Sequence, residues 1–226
     1  MAETVQDRLL AAIAPHVAFD GWSEAAFAAA CADIDVSVAD GLGACPRGAV
    51  DLAAAYHRAG DDLMRAALEG VDLDAMRIRE RVAFAVRARI EAVSDKEVVR
   101  RGAVLFALPM HGVEGTRLIW GTADAIWDAL GDPSEDLNWY SKRALLSGVY
   151  SSTVLFWLGD DSVDGQDTWE FLDRRIEDVM RIEGMKGQLR GNPLTKGLMG
   201  GVDRLFASVK VPRKVQRTDL PGTWSR

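Results

Sequence analysis

Cysteine and histidine are scarce in this chain, and their scarcity excludes several classes of protein. The 226 residues include two cysteines, Cys31 and Cys45, and three histidines, His16, His57 and His111. Two cysteines do not make a disulfide framework, and no histidine stands at metal-ligand spacing from another histidine or a cysteine. The sequence therefore predicts neither a disulfide-stabilised secreted domain nor a zinc site, and we expect the chain to stay in a reducing cytosol.

Catalytic and cofactor-binding motifs are also lacking. There is no P-loop, no dinucleotide-binding glycine pattern and no nucleophile elbow. His111 and Glu114 stand three residues apart, but a di-iron bundle needs two Glu-x-x-His motifs and two further acids. The turn from Asp160 has some acids of a calcium loop, but Phe171 stands where the bidentate acid is required. We predict no metal, no cofactor and no catalytic residue, since Cys45 fits a buried structural cysteine better than a nucleophile.

No apolar run is long enough to cross a membrane. The most apolar stretch, residues 138–158 (NWYSKRALLSGVYSSTVLFWL), is interrupted by serines and a threonine, whereas a spanning helix needs roughly 20 predominantly apolar residues. A helix over this stretch carries bulky side chains on three faces and must be buried nearly all round. We therefore predict a central core helix, an oligomer-interface helix, or both.

The alternation typical of strands is absent as well, and apolar residues recur at spacings of three and four. Thr4 with Asp7 predicts a capping box, and Ser23 predicts the N-cap of a second helix. The pattern predicts an all-α fold of about ten helices. They cover residues 4–17, 23–32, 36–42, 47–69, 76–93, 95–108, 112–130, 138–158, 167–189 and 194–209.

Three regions follow from this order of helices. Residues 1–46 have the layout of a helix-turn-helix head, residues 47–191 form a helical body, and residues 192–226 form an amphipathic helix with a basic tail. Gly191, Asn192 and Pro193 separate the last two regions. The head and the body are expected to share a helix and therefore to form one unit.

Positive charge is missing from the head. Residues 1–46 contain seven acids and one base, whereas residues 181–226 contain ten bases and three acids. A DNA-binding head needs several Lys or Arg residues to neutralise phosphates, but residues 33–46, where a recognition helix would lie, have three acids and no base. We therefore predict no nucleic-acid binding. A ligand-responsive transcriptional regulator stays as the alternative function.

The predicted helix at 194–209 is amphipathic, and further bases follow it. Such a helix with a basic tail is typical of a segment that lies on an anionic membrane surface. Packing of the same helix on its own body, or on a partner subunit, is an equal alternative. The apolar positions that we assign to membrane binding are Leu194, Leu198, Met199, Val202, Leu205 and Phe206.

Two motifs are the most distinctive parts of the sequence: WYxxR at 139–143 and TWxFLxxR at 168–175. Together with FDGWSEAAF at 19–27 and LIWGTADAIWDALGD at 118–132, they resemble the ubiquinone-biosynthesis accessory family called coenzyme-Q protein nine. The resemblance covers about residues 4–208. It implies a tetracycline-repressor-like helical fold with a degenerate helix-turn-helix head, and no DNA binding.

The resemblance also implies a function. Members of that family are non-catalytic, lipid-binding homodimers that associate peripherally with the inner membrane through a C-terminal amphipathic helix. They hold isoprenoid lipid and present it to the demethoxyubiquinone hydroxylase. In the regulator fold the last two body helices form the dimer, which here are the predicted helices at 138–158 and 167–189.

Site residues follow from the same resemblance. The partner-binding surface falls on Trp139, Tyr140 and Arg143, which we expect to be exposed. An isoprenoid quinone or a phospholipid needs a large apolar pocket, and the sixth and seventh predicted helices offer candidates for it, with plain core packing as the alternative for each. These candidates are Leu105, Phe106, Leu108, Leu118, Trp120, Ile126 and Trp127.

Overall fold

The computed structural model describes residues 3–93, 95–134 and 137–191. The predicted membrane helix at 194–209, with its six assigned residues, lies outside this part of the chain. Within it, nine α-helices and two short 3-10 turns occur, with no strand, which confirms the all-α prediction. The helices are α1 (Val5–Asp20), α2 (Glu24–Asp33), α3 (Val38–Ala44), α4 (Ala49–Glu69), α5 (Ile78–Glu91), α6 (Lys96–Ala107), α7 (Gly112–Ala129), α8 (Leu137–Leu158) and α9 (Gln166–Gly191).

The helix starts follow local capping chemistry. The backbone N–H of Asp7 donates to the Thr4 hydroxyl, and the backbone N–H of Thr4 donates to the Asp7 carboxylate, which completes the predicted capping box. Ser23 accepts a hydrogen bond from the backbone N–H of Ala26 at 3.2 Å and caps α2. Asp95 caps α6 in the same way. These side chains satisfy first-turn donors that would otherwise have no partner.

Two hydrophobic cores share the long helix α4. The head core is built around residues of α1 and α2, such as Leu9 and Phe27, and Leu52 of α4 belongs to it. The body core gathers α5, α7, α8 and α9, and Met64 of α4 belongs to that one. One helix therefore serves both cores, as expected from the sequence.

A glycine brings α6 and α7 into close contact. A Cβ added at Gly115 would lie 2.8 Å from the Cβ of Phe106, which is closer than real side chains allow. The two helices therefore pack closely beside the short turn at 108–111 that joins them.

The helix α8 is only partly buried within one chain. Leu146, Val149 and Tyr150 belong to the body core, but Leu155 is 66% exposed and Phe156 is also exposed. The expectation of burial nearly all round is therefore wrong for a single chain. The cause is the geometry of the bundle, since α7 and α9 cover two sides of α8 and leave the third open.

Candidate ligand cavity and interaction surface

An apolar cavity of about 300 Å³ lies in the body, between α4, α5, α6, α7 and α8. Its deeper walls include the buried residues Ala53, Val98 and Leu118, while the exposed residues Ala107 and Leu155 lie at its rim. The cavity is therefore apolar along its walls and reaches the surface on one side. Its volume is at the lower end of the range for ligand pockets.

Buried polar groups beside this cavity neutralise one another. Nε of Arg89 donates to Oδ1 of Asp61 at 2.6 Å, and Nη2 donates to the backbone carbonyl of His57 at 2.7 Å. The Thr122 hydroxyl donates to the same Asp61 oxygen at 2.8 Å. Because a buried charge is tolerated only when it is paired, the pair fixes Arg89 and leaves this part of the wall without net charge.

His57 is uncharged at neutral pH. Its Nε2 lies 2.9 Å from the Thr122 hydroxyl oxygen, which accepts from Nε2 because its own proton goes to Asp61. Burial, followed by the nearby Arg89 charge, lowers the pKa of His57 to about 4. Burial also raises the pKa of the Tyr150 hydroxyl, whose ring meets the His57 ring edge-on at 6.4 Å. The polar part of the cavity wall is thus neutral hydrogen-bonding surface.

Two of the seven predicted lipid-binding residues, Phe106 and Leu118, line this cavity. Leu105, although it precedes Phe106, packs against the head core. Ile126 is fully buried in the body core. For Leu105 and Ile126 the structure therefore shows core packing, which the sequence had left open as the alternative to ligand contact.

The other three candidates lie on different surfaces. Leu108 is exposed at the end of α6, Trp120 lies against Trp139 with ring centroids 6.0 Å apart, and Trp127 lines a second cavity. The periodicity of α7 identified bulky residues correctly but did not say which side of the helix faced the cavity.

Most of the cavity wall consists of residues that the sequence reasoning missed. Tyr56, Ile90 and Trp157 come from α4, α5 and α8, and spacing within one helix cannot reveal a space shared by several. One signal was available in α5, where Arg89 falls on the apolar stripe with Val86, one turn before Val93. A cation on an apolar stripe indicates a buried polar site.

A second cavity, of about 460 Å³, lies between α5, α7, α8 and α9. Apolar residues such as Leu145 and Ile176 line it, together with the charged groups of Arg79 and Asp132. Its wall is therefore more polar than that of the first cavity and carries charged side chains. The first cavity is the better candidate for an apolar ligand.

Arg143 is buried, and the expectation that it would be exposed to a partner is wrong. Its side chain is 1% exposed. Nε donates to Asp124 at 2.5 Å, while Nη1 and Nη2 lie 3.3 Å from carboxylate oxygens of Asp132 and Asp128. Three acids from α7 and the turn after it surround the guanidinium, so its visible role is to join α7 to α8.

The aromatic residues beside Arg143 form a partly exposed group that we name the aromatic surface: Trp120, Trp139 and Tyr140. The rings of Trp139 and Tyr140 meet edge-on at 4.8 Å, and Trp120 lies 6.4 Å from Tyr140. The guanidinium of Arg143 lies 3.9 Å from the Trp139 ring. The structure therefore brings together two predicted partner-binding residues and adds Trp120 to them.

The surface of the head is acidic where a recognition helix would lie. Asp33, Asp35 and Asp40 are exposed around α3. His16 lies 2.7 Å from the Asp33 carboxylate, and the Ser37 hydroxyl donates to Asp40. A phosphate backbone placed here would meet charge of its own sign, which agrees with the prediction of no nucleic-acid binding.

Across 3–93, 95–134 and 137–191, no group of three or more His, Cys, Asp or Glu side chains could hold a metal ion. None of the helices in these ranges has both the length and the apolar character that crossing a membrane requires.

Several known proteins are similar in sequence to this chain. The COQ9 family model matches residues 113–183. The mitochondrial ubiquinone biosynthesis protein COQ9-B of Xenopus laevis is 31% identical over 208 residues, covering 88% of this chain and 71% of that protein. The mitochondrial COQ9 of Rattus norvegicus is 39% identical over 102 residues, which cover 44% of this chain and only 33% of the rat protein.

The fold has a counterpart among solved structures. The TetR transcriptional regulator from Nitrosomonas europaea superposes with a TM-score of 0.63 at 18% identity, over 77% of this chain and 96% of that one. At this level of identity the likeness concerns the fold alone. It confirms the predicted tetracycline-repressor-like architecture.

Proposed function

The chain belongs to the COQ9 family of ubiquinone-biosynthesis proteins, and we propose that it is a non-catalytic accessory protein of that pathway that binds lipid. The observation that carries the proposal is the apolar cavity of about 300 Å³ with its neutral polar wall. Such a cavity suits an amphipathic molecule that has an apolar body and an uncharged polar ring.

The ligand that we propose is an isoprenoid quinone precursor. A phospholipid is the second candidate, but its phosphate needs a cation or several donors, and Arg89 is already paired with Asp61 at 2.6 Å. The neutral groups of His57 and Tyr150 at the cavity match carbonyl or hydroxyl oxygens better than a charged headgroup. These features favour a quinone as the ligand. A phospholipid in the same cavity would leave its phosphate at the rim.

We propose that the protein presents this lipid to the demethoxyubiquinone hydroxylase through the aromatic surface. Trp and Tyr side chains that are partly exposed and rigidly held are enriched at the energetic centres of interfaces. Trp139 and Tyr140 meet both conditions, since Arg143 holds the Trp139 ring from below. Arg143 therefore supports the surface without touching the partner.

Assembly and location complete the proposal. The open face of α8 exposes Phe156, whose ring stacks on Phe171 of α9 at 4.5 Å. An apolar face shared by these two helices supports a homodimer formed through α8 and α9. We place the protein on the cytoplasmic side of the inner membrane, held there peripherally by the segment at 194–209.

Deletion of the gene tests the function. Cells that lack it are expected to accumulate demethoxyubiquinone and to lose ubiquinone, with recovery when the intact gene is restored. Quinone profiles that stay unchanged on deletion contradict the proposal. The alternative of a transcriptional regulator is tested separately by a mobility-shift assay with upstream DNA at low salt, where the acidic face around Asp35 and Asp40 predicts no shift.

A further inference from the structure

Four large apolar side chains are exposed together where α6 turns into α7. Val104 lies in the last turns of α6, Leu108 and Met110 lie in the connecting turn, and Val113 begins α7. Met110 is 79% exposed and Val113 is 66% exposed. We name this group the α6–α7 tip. Single exposed apolar residues are ordinary, but a contiguous group marks an interaction site.

The α6–α7 tip adjoins the mouth of the cavity. Ala103 and Ala107, which flank Val104 and Leu108 along α6, line the cavity, and so does Gly112, the neighbour of Val113. Leu155 of α8 continues the apolar rim on the other side and is itself exposed. A ligand that enters the cavity over this rim therefore passes the α6–α7 tip.

Arginines stand one helical turn behind the apolar residues on both helices. Arg100 and Arg101 precede Val104 by four and three residues, so they share its face of α6. On α7, the exposed Arg117 follows Val113 by four residues. One turn rises about 5.4 Å, so three arginines lie about one turn behind the apolar tip, and we name them the collar. The guanidiniums of Arg100 and Arg101 also donate to the carbonyls of Leu158 and Ala18, and their side chains stay nearly half exposed.

The acids close to this collar are neutralised. Glu97 pairs with both Arg100 and Arg101. Glu114, near the start of α7, accepts two hydrogen bonds from Arg47 at 2.7 and 2.9 Å. Arg47 also pairs with Asp51, so four arginines stand against three acids here. The remaining positive charge complements an anionic lipid surface.

We propose that the α6–α7 tip inserts into an anionic bilayer, so that the cavity opens directly into the lipid phase. Apolar side chains would lie among the acyl chains, and the arginines one turn behind would reach the headgroups, as long basic side chains do at membrane interfaces. A lipid with an isoprenoid tail could then enter the cavity without crossing water. This inference rests on the proposed lipid binding and adds a membrane contact separate from residues 194–209.

The bilayer explains both features of the site better than a protein occupant does. A second copy of the chain, or the chain's own C-terminal segment, would cover the apolar residues but would also close the mouth of the cavity. The C-terminal segment would also not use a collar of arginines, since residues 181–226 carry an excess of bases. Only a lipid surface satisfies the apolar tip and the cations while the cavity stays open.

A fluorescent probe at the tip tests this directly. An environment-sensitive maleimide is attached to Met110→Cys in the full chain, with Val163→Cys as the matched control in the α8–α9 turn, because both positions are highly exposed. Cys31 and Cys45 are fully buried, so the probe reacts with the new thiol. With vesicles of phosphatidylcholine and phosphatidylglycerol, emission at position 110 is expected to shift to the blue and brighten several-fold, while position 163 stays unchanged.

Each other result overturns the inference. The inference fails if the probe at position 110 stays in water while the protein sediments with the vesicles. It also fails if the protein does not sediment with them at all. Blue emission before vesicles are added means that the C-terminal segment covers the tip, or a second copy if the emission depends on protein concentration. The lipid content of the purified protein, measured by mass spectrometry, reports separately on the proposed lipid binding.

A second pair of variants keeps the test independent of the probe. Val104→Asp with Met110→Asp places two charges on exposed positions, so the fold is expected to persist. The rate of quinone uptake from the same vesicles is expected to fall several-fold, whereas Val163→Asp leaves it unchanged. If the double variant takes up quinone as fast as Val163→Asp does, the result contradicts insertion of the tip.

Discussion

The guanidinium of Arg143 lies 3.9 Å from the centre of the Trp139 ring, one turn away on the same helix. The same guanidinium reaches the carboxylates of Asp124, Asp128 and Asp132. One buried cation thus fixes a partly exposed aromatic ring and joins α7 to α8. The WYxxR motif therefore combines two roles, in which the aromatic residues face outward and the arginine holds them in place.

Arg143→Ala is expected to lower the free energy of unfolding by about 3 kcal/mol, because removing one partner of a buried ion pair leaves an uncompensated charge. Asp124 would lose its partner at 2.5 Å and carry that charge, whereas Asp132 would keep its ion pair with Lys142 at 2.6 Å. Arg143→Lys is expected to lose less, since a lysine restores the charge but not the fork of donors. Urea unfolding at neutral pH measures both variants.

The control for Arg143 is Arg174→Ala, which removes an exposed cation 3.9 Å from Glu170 on α9. Exposed ion pairs contribute little, so a change of less than about 1 kcal/mol is expected. A loss at Arg143→Ala no larger than that of the control contradicts the structural role of the buried cation.

Tyr140→Ala is expected to weaken binding to the demethoxyubiquinone hydroxylase by at least about tenfold, because aromatic anchors dominate interface energetics. Tyr140→Phe keeps the ring against Trp139 and is the matched variant, with affinity close to that of the natural protein. Binding is measured by surface plasmon resonance on purified proteins. Equal affinities for Tyr140→Ala and the natural chain exclude the aromatic surface as the docking site.

Gly60→Ala is expected to destabilise the protein by roughly 2 kcal/mol, although alanine favours helices, because it disturbs a buried ion pair. A Cβ at position 60 would lie 2.5 Å from Nη1 of Arg89 and would push the guanidinium from Asp61. Gly121→Ala is the control, since its Cβ would meet nothing within 4 Å. It is expected to stabilise by up to about 1 kcal/mol. Thermal unfolding that moves both variants in the same direction contradicts the packing of Arg89 on Gly60.

The stability of the fold is expected to fall as the pH drops from 7 to 5, partly through His57. Its pKa is about 4 in the folded state against 6.5 for an ordinary histidine, because burial and Arg89 disfavour its charged form more than Asp61 favours it. The unfolded chain therefore takes up the proton first, and the loss between pH 7 and pH 5 is about 2 kcal/mol from this group. Urea unfolding of His57→Gln at both pH values is expected to lack that part of the slope. Identical slopes in the two proteins contradict a neutral buried His57.

Local chemistry made much of the fold predictable. The N-caps at Thr4 and Ser23 and the period of the apolar residues are properties of single segments, and the structure places nine helices in its described residues within a few positions of the prediction. The acidic region around α3 was likewise visible in the sequence, since charge needs no fold to be counted.

The candidate site was less predictable, because it depends on how helices meet. Arg143 follows Trp139 and Tyr140 in a basic, aromatic segment that suggests exposure, yet three acids from α7 and its following turn enclose it. The cavity likewise arises from five helices, and only Phe106 and Leu118 of the predicted set reach it. The rule that a cation on an apolar stripe is buried and paired applies to Arg89 and would have indicated the site.

Native mass spectrometry of the purified chain tests the central claim most directly. Ala107→Trp places a large ring at the exposed rim of the cavity, while Ala107→Ser leaves the rim open. The natural chain and Ala107→Ser are expected to carry an isoprenoid quinone precursor, and Ala107→Trp is expected to lose it while keeping its helical circular dichroism. Its thermal stability is expected to fall only by the contribution of the bound lipid. A natural chain without lipid, or equal lipid in all three proteins, would contradict lipid binding in this cavity.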